Sequence, residues 1–189
     1  SIRLVGSEMC IRDRWKGQEL LIESLNILKT NFGYKNFVAI ILGSDQGRDA
    51  YKKKLLRLVE QHRLNNDVIF LEHANSMPVA YSIANVVVSA SIEPEAFGRV
   101  SVEAQSMKRP IIASDIGGSK ETIIDNRTGL LFKSEDPKSL SEKIDNIFRS
   151  DDTTLNAMGN SGRKNVEQKF NVEKMCFSTY SEYKKLINA

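Results

Sequence analysis

Two glutamates, Glu95 and Glu103, stand with residues 96–102 between them in the segment 91–103, SIEPEAFGRVSVE. A loop carrying Glu93 and Glu95 feeds Phe97-Gly98, and an apolar pattern of helical spacing starts there. Free backbone N–H groups at a helix start attract phosphate, helped by the helix dipole. Gly98 has no Cβ, so a ligand can approach the backbone closely. Glu103 falls on the second turn, from which a carboxylate can accept hydrogen bonds from a diol such as ribose. Arg99, four residues earlier, offers it a plain surface ion pair instead. Glu95 precedes the helix, where negative charge complements the dipole. Two further loops carry unusual residues. One is 114–119, SDIGGS, where Gly117-Gly118 makes a flexible turn. The other is Trp15-Lys16-Gly17. A lysine at a helix N-terminus opposes the dipole, so Lys16 either meets a bound anion or points into water.

These loops need elements to hold them. Leu20, Leu21, Leu25 and Leu28 recur at helical spacing over 16–30. Short apolar or β-branched runs at 37–42, 68–71, 86–89, 110–113 and 130–132 read as buried strands. Between them lie helices at 49–62, 78–84, 98–107 and 120–124. Three helices close the chain, at about 137–149, 153–169 and 173–187; Asp136-Pro137 marks the start of the first. Strands apolar on both faces and separated by helices predict a parallel α/β sheet covered on both sides. Ligands then bind outside the carboxyl ends of the strands, where all three loops fall.

With 189 residues, 41% hydrophobic and 27% charged, the chain is sized for one core with a charged surface. No apolar run approaches the ~20 residues of a membrane span. The net charge of +3 permits an anionic substrate or contact with an acidic membrane surface, such as the inner face of the membrane. The lysines are spread over several helices, which argues against nucleic acid. Cys10 and Cys176 form neither a metal-ligand spacing nor a disulfide framework, consistent with a reducing cytoplasm. His62 and His73 lie in different elements and make no metal pair; His62 reads as a charge at the end of its helix. There is no G-x-G-x-x-G after a strand, no Walker A loop and no G-x-S-x-G elbow.

The opening fourteen residues, SIRLVGSEMCIRDR, do not fit this pattern. A parallel sheet needs a strand ahead of the first helix, yet strand character ends near Val5. The piece 5–13, VGSEMCIRD, also resembles a translated sequencing adapter. Residues 1–13 are therefore read as a non-native or disordered leader, and 14–189 as the domain with its helical tail.

Residues 92–112, IEPEAFGRVSVEAQSMKRPII, resemble the donor-site signature of retaining glycosyltransferases of family 4, which have the GT-B fold. Residues 14–19, 41–43, 68–71, 77–78, 113–122 and 128–129 are similar in the same order, so the resemblance covers roughly 14–186. It implies the Rossmann-like, C-terminal half of a GT-B enzyme, binding a nucleotide diphosphate sugar (UDP or GDP) and needing no cofactor or metal. It implies that Glu103 holds the ribose hydroxyls and that Glu95 stands beside the sugar and the reacting centre. It implies that the backbone amides of Phe97, Gly98 and Arg99 cradle the diphosphate, with Ala96 and Val100 also among the substrate-binding residues. It implies that Lys16 neutralises the leaving diphosphate. The base lies near the loop after 68–71. The product class leans to lipopolysaccharide or envelope polysaccharide. Two departures follow. The arginine of the family's Gly-Arg turn corresponds to Ile11, with Arg12 and Arg14 out of register. The N-terminal acceptor domain is not in this sequence, so the last helices are expected to expose apolar residues such as Phe170, Met175, Phe177 and Tyr180. Alternative functions are a nucleotide-sugar epimerase of GT-B-like fold or a non-catalytic nucleotide-binding fragment. A glycosidase is rejected, because its carboxylates flank the scissile bond, whereas Glu95 and Glu103 share one loop and the helix it begins.

Overall fold

The computed structural model describes residues 3–11, 14–44, 49–72 and 76–187. Six strands alternate with helices: β1 (Arg3–Ile11), α1 (Gln18–Thr30), β2 (Phe37–Ser44), α2 (Asp49–Gln61), β3 (Val68–Leu71), α3 (Met77–Ile83), β4 (Val86–Ser89), α4 (Arg99–Ser106), β5 (Ile111–Ser114), α5 (Ser119–Thr122) and β6 (Leu130–Phe132). Helices α6 (Pro137–Arg149), α7 (Asp152–Lys169) and α8 (Val172–Ile187) follow. The strands form one sheet in the order β3-β2-β1-β4-β5-β6, with every pairing parallel. The chain builds outward from β1 through β2 to β3, returns, and builds the other way from β4. The topological switch point therefore lies between β1 and β4.

Strands β4 and β5 are buried on both faces, which is why they are apolar up to their closing serines. Along β4 and β5 the side chains alternate between two cores. Val86, Val88 and Ile112 pack with Leu21, Leu25, Ile144 and Phe148 from α1 and α6. Val87, Ile111 and Ala113 pack with Tyr81, Val100, Ala104 and Ile123 from α3, α4 and the end of α5. At roughly 1.5–3 kcal/mol for each fully buried aliphatic side chain, these two layers dominate the stability of the fold.

Helices α6 and α7 start at side-chain caps. Asp136 accepts from Ser139 N–H at 3.0 Å and Asp151 from Thr154 N–H at 2.7 Å. Each bond holds its carboxyl below the usual aspartate value. Helix α7 lies against α4, where Asn165 Nδ2 donates to Gln105 Oε1 at 3.2 Å and to Thr122 O at 3.1 Å. Helix α8 buries no residue. Met175, Phe177 and Tyr180 are exposed as expected, but Phe170 is half-buried, its ring edge-on to Phe97 at 5.6 Å.

Residues 1–13 are the stretch expected to be a non-native or disordered leader, and Arg3–Ile11 of it are placed in the sheet. Those residues form β1, in the middle of the sheet, in register with β2 from Arg3↔Phe37 to Ile11↔Ser44 and with β4 at Val5↔Val86 and Gly6↔Val87. The physical reason is that backbone N–H and C=O groups of β2 and β4 face this slot and require partners. Strand pairing supplies them through the backbone alone, whatever side-chain pattern the inserted segment carries. Residues 1, 2, 12 and 13 lie outside the described residues.

Candidate functional site

The loops leaving the carboxyl ends of β1, β4 and β5 converge at the switch point. After β1, Arg14–Lys16 makes one 3₁₀ turn, and Gly17 turns into the left-handed region (φ 70°) to start α1. The first helix therefore begins at Gln18 and leaves Lys16 ahead of it. The turn is tied to the β4 loop by Ile92 N–H donating to Trp15 O at 2.7 Å. The β5 loop is tied in by Gly118 N–H donating to Glu95 O at 2.7 Å. A Cβ at Gly118 would stand 2.6 Å from the Phe97 carbonyl carbon. The Gly-Gly pair is thus more than a flexible turn: lacking side chains, it lets the two loops pack backbone to backbone.

Lys16 and Glu95 meet in this corner. Lys16 Nζ lies 2.7 Å from Glu95 Oε1, and each side chain is about 15% exposed. The ammonium also sits over the Trp15 ring, 3.9 Å from its centroid. Ser91, buried at the end of the β4 run, donates its hydroxyl to the same Glu95 oxygen. Lys16 accordingly does not point into water. It is held by a carboxylate 79 positions away, and removing either charge would leave the other partly buried and unpaired.

Glu103 is positioned separately, on the second turn of α4. Its Oε1 accepts from Arg99 Nη2 at 2.9 Å and Nε at 3.3 Å, which is the i,i+4 surface pair. Its Oε2 accepts from the Tyr81 hydroxyl at 2.9 Å. Between the two glutamates the chain enters α4 through Gly98 in the left-handed region (φ 75°, ψ 59°). The N–H groups of a first helical turn have no acceptor within the helix. At α4 that turn opens with Arg99 and Val100, after Ala96, Phe97 and Gly98, while Ser101 N–H donates to Gly98 O at 3.0 Å. Val100 offers only backbone here, because its side chain is buried in the second core. The Phe97 ring walls a cavity of about 430 Å³ with Phe170, Met175 and Ser178.

Three contributing residues escaped sequence reading: Ser91, Tyr81 and the Trp15 ring. Ser91 and Trp15 were visible only as members of their loops and Tyr81 only as part of a helix, because each contact is made through the fold. The region after β3 expected to meet a base includes residues 73–75, which lie outside the described residues. Arg12 does too, whereas Arg14 is exposed in the 3₁₀ turn. Among the described residues no group of three or more His, Cys, Asp or Glu is placed to hold a metal ion. No helix among them is long and apolar enough to cross a membrane.

Replacing Gly17 tests the joint between the loops. A Cβ there would stand 1.9 Å from Ala90 O, and the backbone has a positive φ. Gly17→Ala is expected to cost on the order of 3 kcal/mol, read as a lower urea midpoint at unchanged slope. A change under about 0.5 kcal/mol, the scale of a neutral surface substitution, would show that the loops can part freely.

The profile of the family described as glycosyl transferases group 1 matches residues 12–165. The chain is 30% identical over 155 residues to the capsular polysaccharide biosynthesis glycosyltransferase CapM of Staphylococcus aureus, covering 82% of this chain and 39% of that protein. A solved glycosyltransferase from Rickettsia africae superposes with a TM-score of 0.90 at 28% identity, over 98% of this chain and 48% of its own. HepE of Anabaena, solved in complex with UDP and glucose, superposes with a TM-score of 0.86 at 25% identity, over 95% and 48%. The chain thus spans less than half the length of each of these proteins.

Proposed function

The chain belongs to the glycosyl transferases group 1 family, and from that premise we propose that it is the donor-binding half of a retaining hexosyltransferase. Its substrate in this reading is a nucleoside diphosphate sugar. UDP is the first choice, because HepE was solved with UDP and glucose; GDP is the second. The acceptor would sit on a further domain of the whole protein. CapM is named for capsular polysaccharide biosynthesis, and envelope polysaccharide is the corresponding product class proposed here. The reaction would run in the cytoplasm, and the +3 charge permits contact with an acidic membrane face.

The observation that supports this reading best is the meeting of Lys16 and Glu95, 2.7 Å apart, beside the start of α4 at the switch point of the sheet. In this reading the amides of Phe97, Gly98 and Arg99 cradle the diphosphate, beside Ala96 and Val100. Glu103 accepts from the ribose hydroxyls, and the Glu95 carboxylate faces the sugar. As the bond from anomeric carbon to phosphate oxygen breaks, negative charge grows on the β-phosphate. The Lys16 ammonium is placed to stabilise that charge more in the transition state than in the ground state.

The test is titration of the chain itself. It is expected to bind UDP or GDP weakly, at roughly 0.1–1 mM, with a matching rise in melting temperature. It is expected to transfer no sugar, because in this reading the acceptor site and the water-excluding closure need the further domain of the whole protein. No binding of either nucleotide at millimolar concentration would overturn the donor-site reading. Transfer by this chain alone would overturn the half-site reading.

A further inference from the structure

Glu103 is the one glutamate of the pair whose two oxygens are engaged by different side chains, and those two partners differ in kind. Arg99, on Oε1, is 75% exposed on its side chain and reaches Glu103 from one turn earlier on the same helix. Tyr81, on Oε2, comes from α3, and its residue is 3% exposed. The Tyr81 ring is packed in the second core with Val87, Val100 and Ala104, so its hydroxyl is fixed relative to α4. We infer that Tyr81 is a positioning residue for Glu103: it anchors Oε2 from the core and aims Oε1 at the ligand diol, with Arg99 as the exchangeable occupant that the diol displaces. This inference rests on the proposed ribose role of Glu103 and adds to it the group that sets the carboxylate's direction.

The chemistry supports this division. A glutamate has three rotatable bonds, and ordering it at the moment of binding weakens the complex. A phenol hydroxyl donates one hydrogen bond and here donates it to the carboxylate. Donation to one oxygen fixes the plane of the group and leaves the other as acceptor. An exposed guanidinium on a flexible stem is held only weakly and exchanges readily with water or ligand.

The experiment compares the tighter-binding of UDP and GDP with its 2′,3′-dideoxy analogue, by calorimetric titration of the wild type, Tyr81→Phe and Glu103→Gln. The affinity ratio within one protein cancels any change in its folded fraction, and the phenylalanine keeps the buried ring. If Tyr81 positions Glu103, Tyr81→Phe binds the ribonucleotide roughly fivefold more weakly, the worth of one hydrogen bond, and the dideoxy analogue almost as before. Equal weakening of both ligands would overturn the inference, since a merely structural tyrosine acts on both alike. An unchanged Tyr81→Phe beside a weakened Glu103→Gln would overturn it too, while leaving the ribose contact standing. Wild-type affinity in Glu103→Gln, or no preference for the ribonucleotide in the wild type, would remove the ribose contact itself and the positioning role with it.

Discussion

Deleting residues 1–13 is expected to abolish the cooperative unfolding transition of the chain. Strand β1 fills the slot between β2 and β4 and is in register with seven positions of β2. A backbone hydrogen bond contributes roughly 0.5–1.5 kcal/mol net, and an orphaned buried group costs more. The loss is therefore of the same order as the whole stability of a domain, about 5–15 kcal/mol. The Lys16 turn would also lose the strand that delivers it to the site. Thermal melting followed by circular dichroism, with and without residues 1–13, checks this. A truncated chain melting cooperatively within a few degrees of the intact one would show that the segment adds nothing to the fold, as a leader would. Strand occupancy and origin are separate matters: pairing through the backbone is open to any segment able to extend, so the adapter-like lettering of 5–13 and its central position are compatible.

Most of the fold was legible because its signals are local. The runs at 37–42, 86–89 and 110–113 are apolar on both faces since Ile111 and Ala113 point into one core and Ile112 into the other. Asp136-Pro137 opens α6 where the capping rule places it. Strand β1 was not legible from periodicity, because its place is set by the unpaired edges of β2 and β4. The same division runs through the site. The Arg99–Glu103 pair is four residues long and could be read directly. The Lys16–Glu95 pair joins loops 79 positions apart, and Tyr81 reaches Glu103 across 22. Spacing alone could name the glutamates as candidates but could not say what holds them.

What holds them makes the two glutamates separable by experiment. Glu103→Gln is expected to weaken nucleotide binding by roughly 1.5–3 kcal/mol, the range for hydrogen bonds to a charged group, or about ten- to a hundredfold. The loss should be the same with or without the sugar attached. Were Glu103 only the surface partner of Arg99, its replacement would change stability by a few tenths of a kcal/mol and affinity not at all. Glu95→Gln should behave in the opposite way. Lys16 is bound to Glu95 at 2.7 Å, and in the proposed reading a diphosphate draws the ammonium from that carboxylate. Neutralising Glu95 removes the competitor, so bare UDP or GDP should bind at least as well as before. In the whole protein, turnover should nevertheless fall at least about tenfold, because in the proposed role Glu95 is the carboxylate beside the sugar. Lys16→Ala completes the set: weaker binding of the diphosphate, and turnover of the whole protein lower by roughly 10²–10³, the range for removing one group aimed at developing charge. A Glu95→Gln variant that loses nucleotide affinity as severely as Lys16→Ala would mean that the pair acts as one structural brace. The catalytic roles proposed for both residues would then have to be given up.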